Sequence, residues 1–195
     1  MARLLETGLD LLDAENPHGL PAIKGWNIIN GQLTEASDGG RFESRNPANK
    51  DDLLGSFPRS TKDDVHAALD AAHAALPGWS STPAPTRGQI IGNMARLLLD
   101  LKDDIVRLET REIGKTLKES GGEVQEAIDT CLFFQAEGRR LYGQTVHSEL
   151  PNKELSTYRR PLGVCAIINA SNFPAAVPFW NCLLYTSPSP RDLAQ

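Results

Sequence analysis

Apolar residues along this chain fall into two rhythms. Before about residue 58 and after about residue 143 they sit in short β-type runs, and between those limits they recur every three or four positions. Leu4, Leu5, Leu9, Leu11 and Leu12 make a short helical pattern that breaks at Pro17 and Pro21, which predicts a loosely packed arm over 1–25. β-formers from Trp26 to Gln32 run into an Asn30-Gly31 turn, Arg41 to Pro47 follows a second turn at Gly39-Gly40, and Leu53 to Phe57 reads as a further strand. Ser60 and Thr61 ahead of Asp63 and Asp64 supply a cap hydroxyl and first-turn acids for a helix that runs to about Leu76 and stops at Pro77-Gly78. Arg87 opens a longer helix with Ile90, Ile91, Met94, Leu97, Leu98, Leu101, Ile105 and Leu108 on its apolar face, and Glu123 opens a third with Val124, Ile128, Leu132 and Phe133 on a stripe and Gly143 beyond its end.

From Gln144 the pattern returns to β. Thr145 to His147 and the alternating Leu155 to Arg159 suit an exposed ribbon, whereas Val164 to Ile168 is apolar on both faces, as in the centre of a helix-covered parallel sheet. Strands, long helices, a ribbon and then a buried strand predict an α/β domain with an excursion.

Composition narrows the function classes. A chain of 195 residues with 40% hydrophobic content supports one sizeable core. Its 20 Lys and Arg against 25 Asp and Glu are spread along the sequence, with no basic face for nucleic acid or anionic lipid. No apolar run approaches the roughly 20 residues that span a bilayer, and Glu6, Asp10, Asp13 and Glu15 stand where a signal peptide would be apolar, so a cytoplasmic protein is expected. Cys131, Cys165 and Cys182 are odd in number and unpatterned, which fits incidental thiols in a reducing compartment.

The chemically informative stretch is Arg159 to Pro174. An apolar strand ends in the small polar loop Asn169-Ala170-Ser171-Asn172, and Pro174 can occupy the first position of a following helix. The carboxyl end of a central strand beside a helix start is where open α/β sheets bind ligands.

Here the sequence resembles the aldehyde dehydrogenase superfamily. Pro161-Leu162-Gly163-Val164 leading into Asn172-Phe173-Pro174 resembles that family's cofactor strand and loop, and Glu112 to Thr116, Gly122 to Glu126 and Leu141-Tyr142-Gly143 also match, leaning toward the semialdehyde branches. The resemblance covers most of Trp26 to Trp180. It implies the amino-terminal part of an aldehyde dehydrogenase-type, Rossmann-like cofactor domain over 26–181, with a β-ribbon for oligomerisation at about 144–160. It implies NAD or NADP as cofactor, a small aldehyde or semialdehyde as substrate, and a homo-oligomer, dimer or tetramer, as the assembled form. Asn172 would be the oxyanion-hole amide, and Ile168, Asn169, Ala170 and Ser171 would line the cofactor site. Ser171 departs from the aromatic residue that many members place before the asparagine. Such an amide, fixed where charge develops on the carbonyl oxygen, supplies ~3 to 4 kcal/mol of transition-state stabilisation. The family's nucleophilic Cys and general-base Glu lie farther along than this chain reaches. A stand-alone dinucleotide-binding or regulatory module is the alternative.

After Trp180 the family continues with an amphipathic helix, whereas here Pro188 and Pro190 interrupt. Residues 182–195 resemble translated sequencing-adaptor DNA and are expected to be a foreign tail, with Cys182 no nucleophile. Other features have structural readings. Gly114-Lys115-Thr116 is no phosphate loop, since Glu109 stands where that loop needs a glycine, and Lys115 suits a helix's negative end. His66 and His73 share a helix face without further ligands, and no metal site is expected. Cys165 should be buried in its strand. Arg139-Arg140 and Arg159-Arg160 suit solvated faces or subunit contacts, and Trp79 and Trp180 suit packing.

Overall fold

The computed structural model describes residues 22–186, with side chains to 183. The expected arm over 1–25 therefore lies almost wholly outside the described residues. The chain divides into two compact units, one of residues 1–74 and 104–120, the other of 75–103 and 121–195.

In the first unit β2 (Asn27–Ile29) and β3 (Gln32–Thr34) form a hairpin closed by Asn30 and Gly31, both left-handed at φ 52° and 71°. An Asn-Gly pair adopts that mirror-image turn at little strain, so the hairpin follows directly from the dipeptide. β5 (Asn49–Pro58) pairs antiparallel with β4 (Arg41–Asn46) and parallel with β1 (Ile23–Lys24). The parallel strand can come close only because Gly55 lacks a side chain, since a Cβ there would stand 2.3 Å from the Ile23 carbonyl oxygen.

Helix α1 (Lys62–Ser81) starts as expected. Thr61 Oγ1 accepts from the Asp63 amide at 3.2 Å, and Asp64 Oδ2 accepts from the Thr61 amide at 2.7 Å, a reciprocal cap. It does not stop at Pro77. A proline removes one bond and crowds the preceding turn, but here the last turn is held otherwise, with the hydroxyls of Ser80, Ser81 and Thr82 donating to the Pro77 and Gly78 carbonyls at 2.9–3.1 Å. The long helix expected from Arg87 is two. α2 (Ala84–Asp100) ends at Leu101, with φ −99° and ψ 8°, and α3 (Lys102–Ile113) begins with Asp103 and Asp104 at its positive end.

α4 (Leu117–Glu137) begins ahead of Glu123 because Thr116 and Glu119 form a second reciprocal cap: the Glu119 amide donates to Thr116 Oγ1 at 3.2 Å, and the Thr116 amide to Glu119 Oε2 at 3.1 Å. In the second unit, its buried face is Glu123, Val124, Ala127, Ile128, Cys131, Phe134 and Glu137, so the expected stripe holds for Val124 and Ile128 and fails for Leu132 and Phe133, which are exposed. Continuing from Val124 and Ile128 at 3.6 residues per turn leads to Cys131 and Phe134, not to the apolar pair between them. α2 likewise buries Gly88, Ile91, Gly92 and Ala95, while Ile90 and Met94 are exposed. Its packed face is its narrow one.

β6 (Thr145–His147) and β7 (Glu154–Ser156) form the expected ribbon, every position of it exposed. Val164 to Ile168 corrects the sequence reading: it is not a strand, Ile168 is 97% exposed, and Cys165, expected buried, is exposed too. A strand exists only through its neighbours' hydrogen bonds, and among the described residues no strand runs beside it. The helix that Pro188 and Pro190 were expected to forbid forms as α5 (Ala176–Thr186), as far as the described residues run. Proline restricts its predecessor and the turn before it, which leaves residues up to 186 free to be helical. Of the expected tail, 187–195 lies outside the described residues.

Candidate functional site

The loop between Ile168 and Ala175 is shaped from its carboxyl-terminal side. Phe173 enters the first turn of α5, its carbonyl accepting from the Val177 amide at 3.2 Å, and its ring lies on Trp180 with centroids 6.1 Å apart. Pro174, Ala175 and Ala176 carry no side-chain acceptor for the amides opening the helix. That cap comes from α4: Glu123 Oε1 accepts from the Ala175 amide at 2.9 Å and the Ala176 amide at 3.2 Å. Glu123 is only 3% exposed. A buried carboxylate is tolerated where amides and the positive end of a helix meet it.

The expected site residues precede this anchor. Ile168, Asn169, Ala170, Ser171 and Asn172 are all exposed. Asn169 is tied to α5, its Oδ1 accepting from Asn181 Nδ2 at 2.9 Å. Asn172 lies in the turn that leads into the capped helix, and Ala170 and Ser171 beside it are small. A separate groove of about 500 Å³ is lined by Glu126, Asp129, Thr130, Phe133, Phe134 and Trp180, and none of the expected site residues lines it. Glu123 was missed as part of the site; its signal was an acid in phase with the buried stripe, together with a helix start lacking a local cap.

The remaining candidates resolve structurally. Cys131 is buried and its thiol is pushed up to about 11 by burial, and burial also raises Cys182. Neither environment favours a thiolate nucleophile. Lys115 follows α3 and lies 3.7 Å from the buried Glu109, and Thr116 caps α4, so Gly114-Lys115-Thr116 is a helix junction. His66 and His73 are exposed, and among the described residues no group of three or more metal-ligating side chains gathers. Arg140 pairs with Glu137, Arg159 donates to the Tyr142 carbonyl at 3.0 Å, and Arg87 stacks over Trp79. No described helix is long and apolar enough to cross a membrane.

The aldehyde dehydrogenase family model matches residues 33–185. The NADP(+) succinate-semialdehyde dehydrogenase GabD of Escherichia coli is 41% identical over 150 residues, which are 77% of this chain and 31% of that protein. The alpha-ketoglutarate semialdehyde dehydrogenase of Haloferax volcanii is 38% identical over 154 residues, 79% of this chain and 32% of its own length. Among solved structures, an Escherichia coli NADP-dependent enzyme superposes with a TM-score of 0.79 at 38% identity, over 83% of this chain and 34% of that one. The aldehyde dehydrogenase from Brucella melitensis biovar abortus 2308 does so with 0.81 at 31% identity, over 90% and 36%. This chain thus spans about a third of the length of the curated relatives it matches. Matched by the family model over most of its length and by relatives across three-quarters of it, with the fold of the amino-terminal part of their structures, the chain belongs to the aldehyde dehydrogenase family.

Proposed function

We propose that this chain forms the front of an enzyme that oxidises an aldehyde, with a semialdehyde as the favoured class, to the carboxylic acid using NAD(P)+. Asn172 carries the reading. It is an exposed amide on a loop fixed from behind by a capped helix, the arrangement an oxyanion donor needs. As a nucleophile adds to the aldehyde carbonyl, its oxygen gains charge, and the Asn172 N–H donates to it without offering an acid that could protonate the adduct. Asn169, Ala170 and Ser171, with Ile168, would hold the nicotinamide end of the cofactor, which when bound supplies the hydride acceptor. Asn181, through Asn169, keeps that side of the loop in register. The nucleophilic thiolate and the water-activating carboxylate are assigned, on the family resemblance, to segments outside this chain, and burial disfavours ionisation of the Cys131 and Cys182 thiols. The names of the relatives, succinate- and alpha-ketoglutarate-semialdehyde dehydrogenases, support the substrate class. Three free thiols suit a reducing cytoplasm, and the exposed ribbon β6–β7 suits a homo-oligomeric contact.

The test is Asn172→Ala in the complete protein encoded by the gene carrying this chain. The kcat/KM for a semialdehyde should fall by ~10²- to 10³-fold while the cofactor Kd stays nearly unchanged. Near-normal turnover with weakened cofactor binding would refute the assignment and leave Asn172 as a turn former.

A further inference from the structure

We infer that Glu123 is a positioning residue for catalysis: it holds the Asn172 loop in its working geometry by gripping the start of α5. The inference rests on the oxyanion role proposed for Asn172. Glu123 lies on α4 and reaches the Ala175 and Ala176 amides with one carboxylate oxygen, Oε1, across a sequence separation of 52 and 53 residues. A helix that needs only capping is served by a Ser, Thr or Asp at its own start, from a side chain already in the loop. Here Pro174, Ala175 and Ala176 provide none, and the acceptor is a buried acid on a separate helix.

A cap borrowed from another helix does what a local cap cannot. It fixes the loop relative to an element packed through Val124, Ala127, Ile128 and Cys131, all 3% exposed or less. Ala176, one of the two gripped residues, is itself fully buried, and Phe173 is braced on Trp180. The loop upstream is open, with Ile168 to Asn172 exposed. Asn172 thus stands between two ties, the Asn169–Asn181 bond before it and the anchor from Phe173 onward after it, and in that second anchor Glu123 is a polar tie. A displacement of about 1 Å at a catalytic donor suffices for ~10²-fold in rate.

The experiment compares Glu123→Ala, Glu123→Asp, Glu123→Gln, Asn172→Ala and the double variant Glu123→Ala/Asn172→Ala in the complete protein. Readouts are kcat, KM for succinate semialdehyde, cofactor Kd and Tm. Glu123→Ala, and Glu123→Asp with its acceptor drawn back, should lower kcat by ~10- to 100-fold with KM and Kd within about twofold. Glu123→Gln keeps an oxygen that can accept both amides and should recover most of the rate, which also covers the case in which the alanine variant does not fold. The double variant should be no slower than Asn172→Ala alone, because a tie that works through Asn172 has nothing left to orient. A slow Asn172→Ala with normal kcat in both Glu123→Asp and Glu123→Ala, or penalties that multiply in the double variant, would overturn the positioning role alone. Normal turnover in Asn172→Ala would bring down the oxyanion role, and the positioning role with it.

Discussion

Asp52 and Arg111 show how a single pair can tie a helix to a strand. Arg111 donates from Nε and Nη2 to the Asp52 carboxylate at 3.1 and 2.6 Å, Asn46 adds a bond at 3.0 Å, and the side chains are 12% and 14% exposed. The Arg111 hydrogen bond, with that from Asn46, holds the Asp52 carboxyl below its ordinary value. A carboxylate depressed in the folded state contributes stability that is complete above the unfolded pKa and is lost as pH falls through the folded one. Asp52→Asn should therefore cost about 3 kcal/mol near neutrality, where it takes a charged partner from a largely buried guanidinium. The difference from wild type should shrink as pH drops below about 4. Urea midpoints across that range measure it, and a difference constant with pH would show that Asp52 titrates alike in the folded and unfolded states, so that its partners do not hold its carboxyl down. Among the proposed site residues, Asn172 and Asn169 to Ser171 stand out in the sequence as a small polar loop before a helix start, and the roles proposed for them come from the family resemblance. Glu123 was legible only as a helix residue. Its role depends on a partner 52 positions away, and no local spacing encodes that.

The helices were readable in place better than in number or extent, since three were expected between residues 60 and 143 and four form there. Their starts followed cap chemistry where Ser60-Thr61-Asp63-Asp64 stood out, and were misjudged at α4, expected from Glu123, where Thr116 and Glu119 had already closed the cap. The buried faces were harder still, because a face chosen by side-chain size misses one chosen by close approach. In α2 that approach centres on Gly88, where a Cβ would stand 2.6 Å from the Gln135 backbone oxygen of α4. Gly88→Ala should destabilise the complete protein by about 1–3 kcal/mol, since backbone must shift to admit a methyl group. Gly122→Ala, also inside a helix but with nothing within 4 Å of the new methyl, should stabilise by about 0.5–1 kcal/mol. Thermal unfolding of both variants checks the contrast. Equal and opposite signs to these would mean that α2 and α4 do not pack as described.

At the scale of the whole chain, the strand Val164 to Ile168 was expected from its apolar run and is absent because a sheet is a collective object. Ile168 in that segment is 97% exposed, and outside the segment Tyr158, Leu162 and Phe133 are 75%, 64% and 56% exposed. Surfaces of this kind recruit other chains. The isolated 195-residue chain should self-associate above micromolar concentration, read as light scattering that rises with concentration and as bound hydrophobic dye. It should also reduce no NAD(P)+ with semialdehydes, since burial disfavours ionisation of the Cys131 and Cys182 thiols and the family's nucleophile is expected elsewhere. A monodisperse, cooperatively melting chain would contradict the first expectation, and turnover abolished by Cys165→Ala or Cys182→Ala the second. The tie between Glu123 and the start of α5 also bears on shuffling this gene with those of its relatives. A crossover placed between residues 123 and 175 parts the two ends of one bond, so chimaeras joined there should keep most of their activity only when the donor of the first half carries a Glu or Gln at that position, whose side-chain oxygen can accept both amides. Crossovers on either side should be indifferent to it.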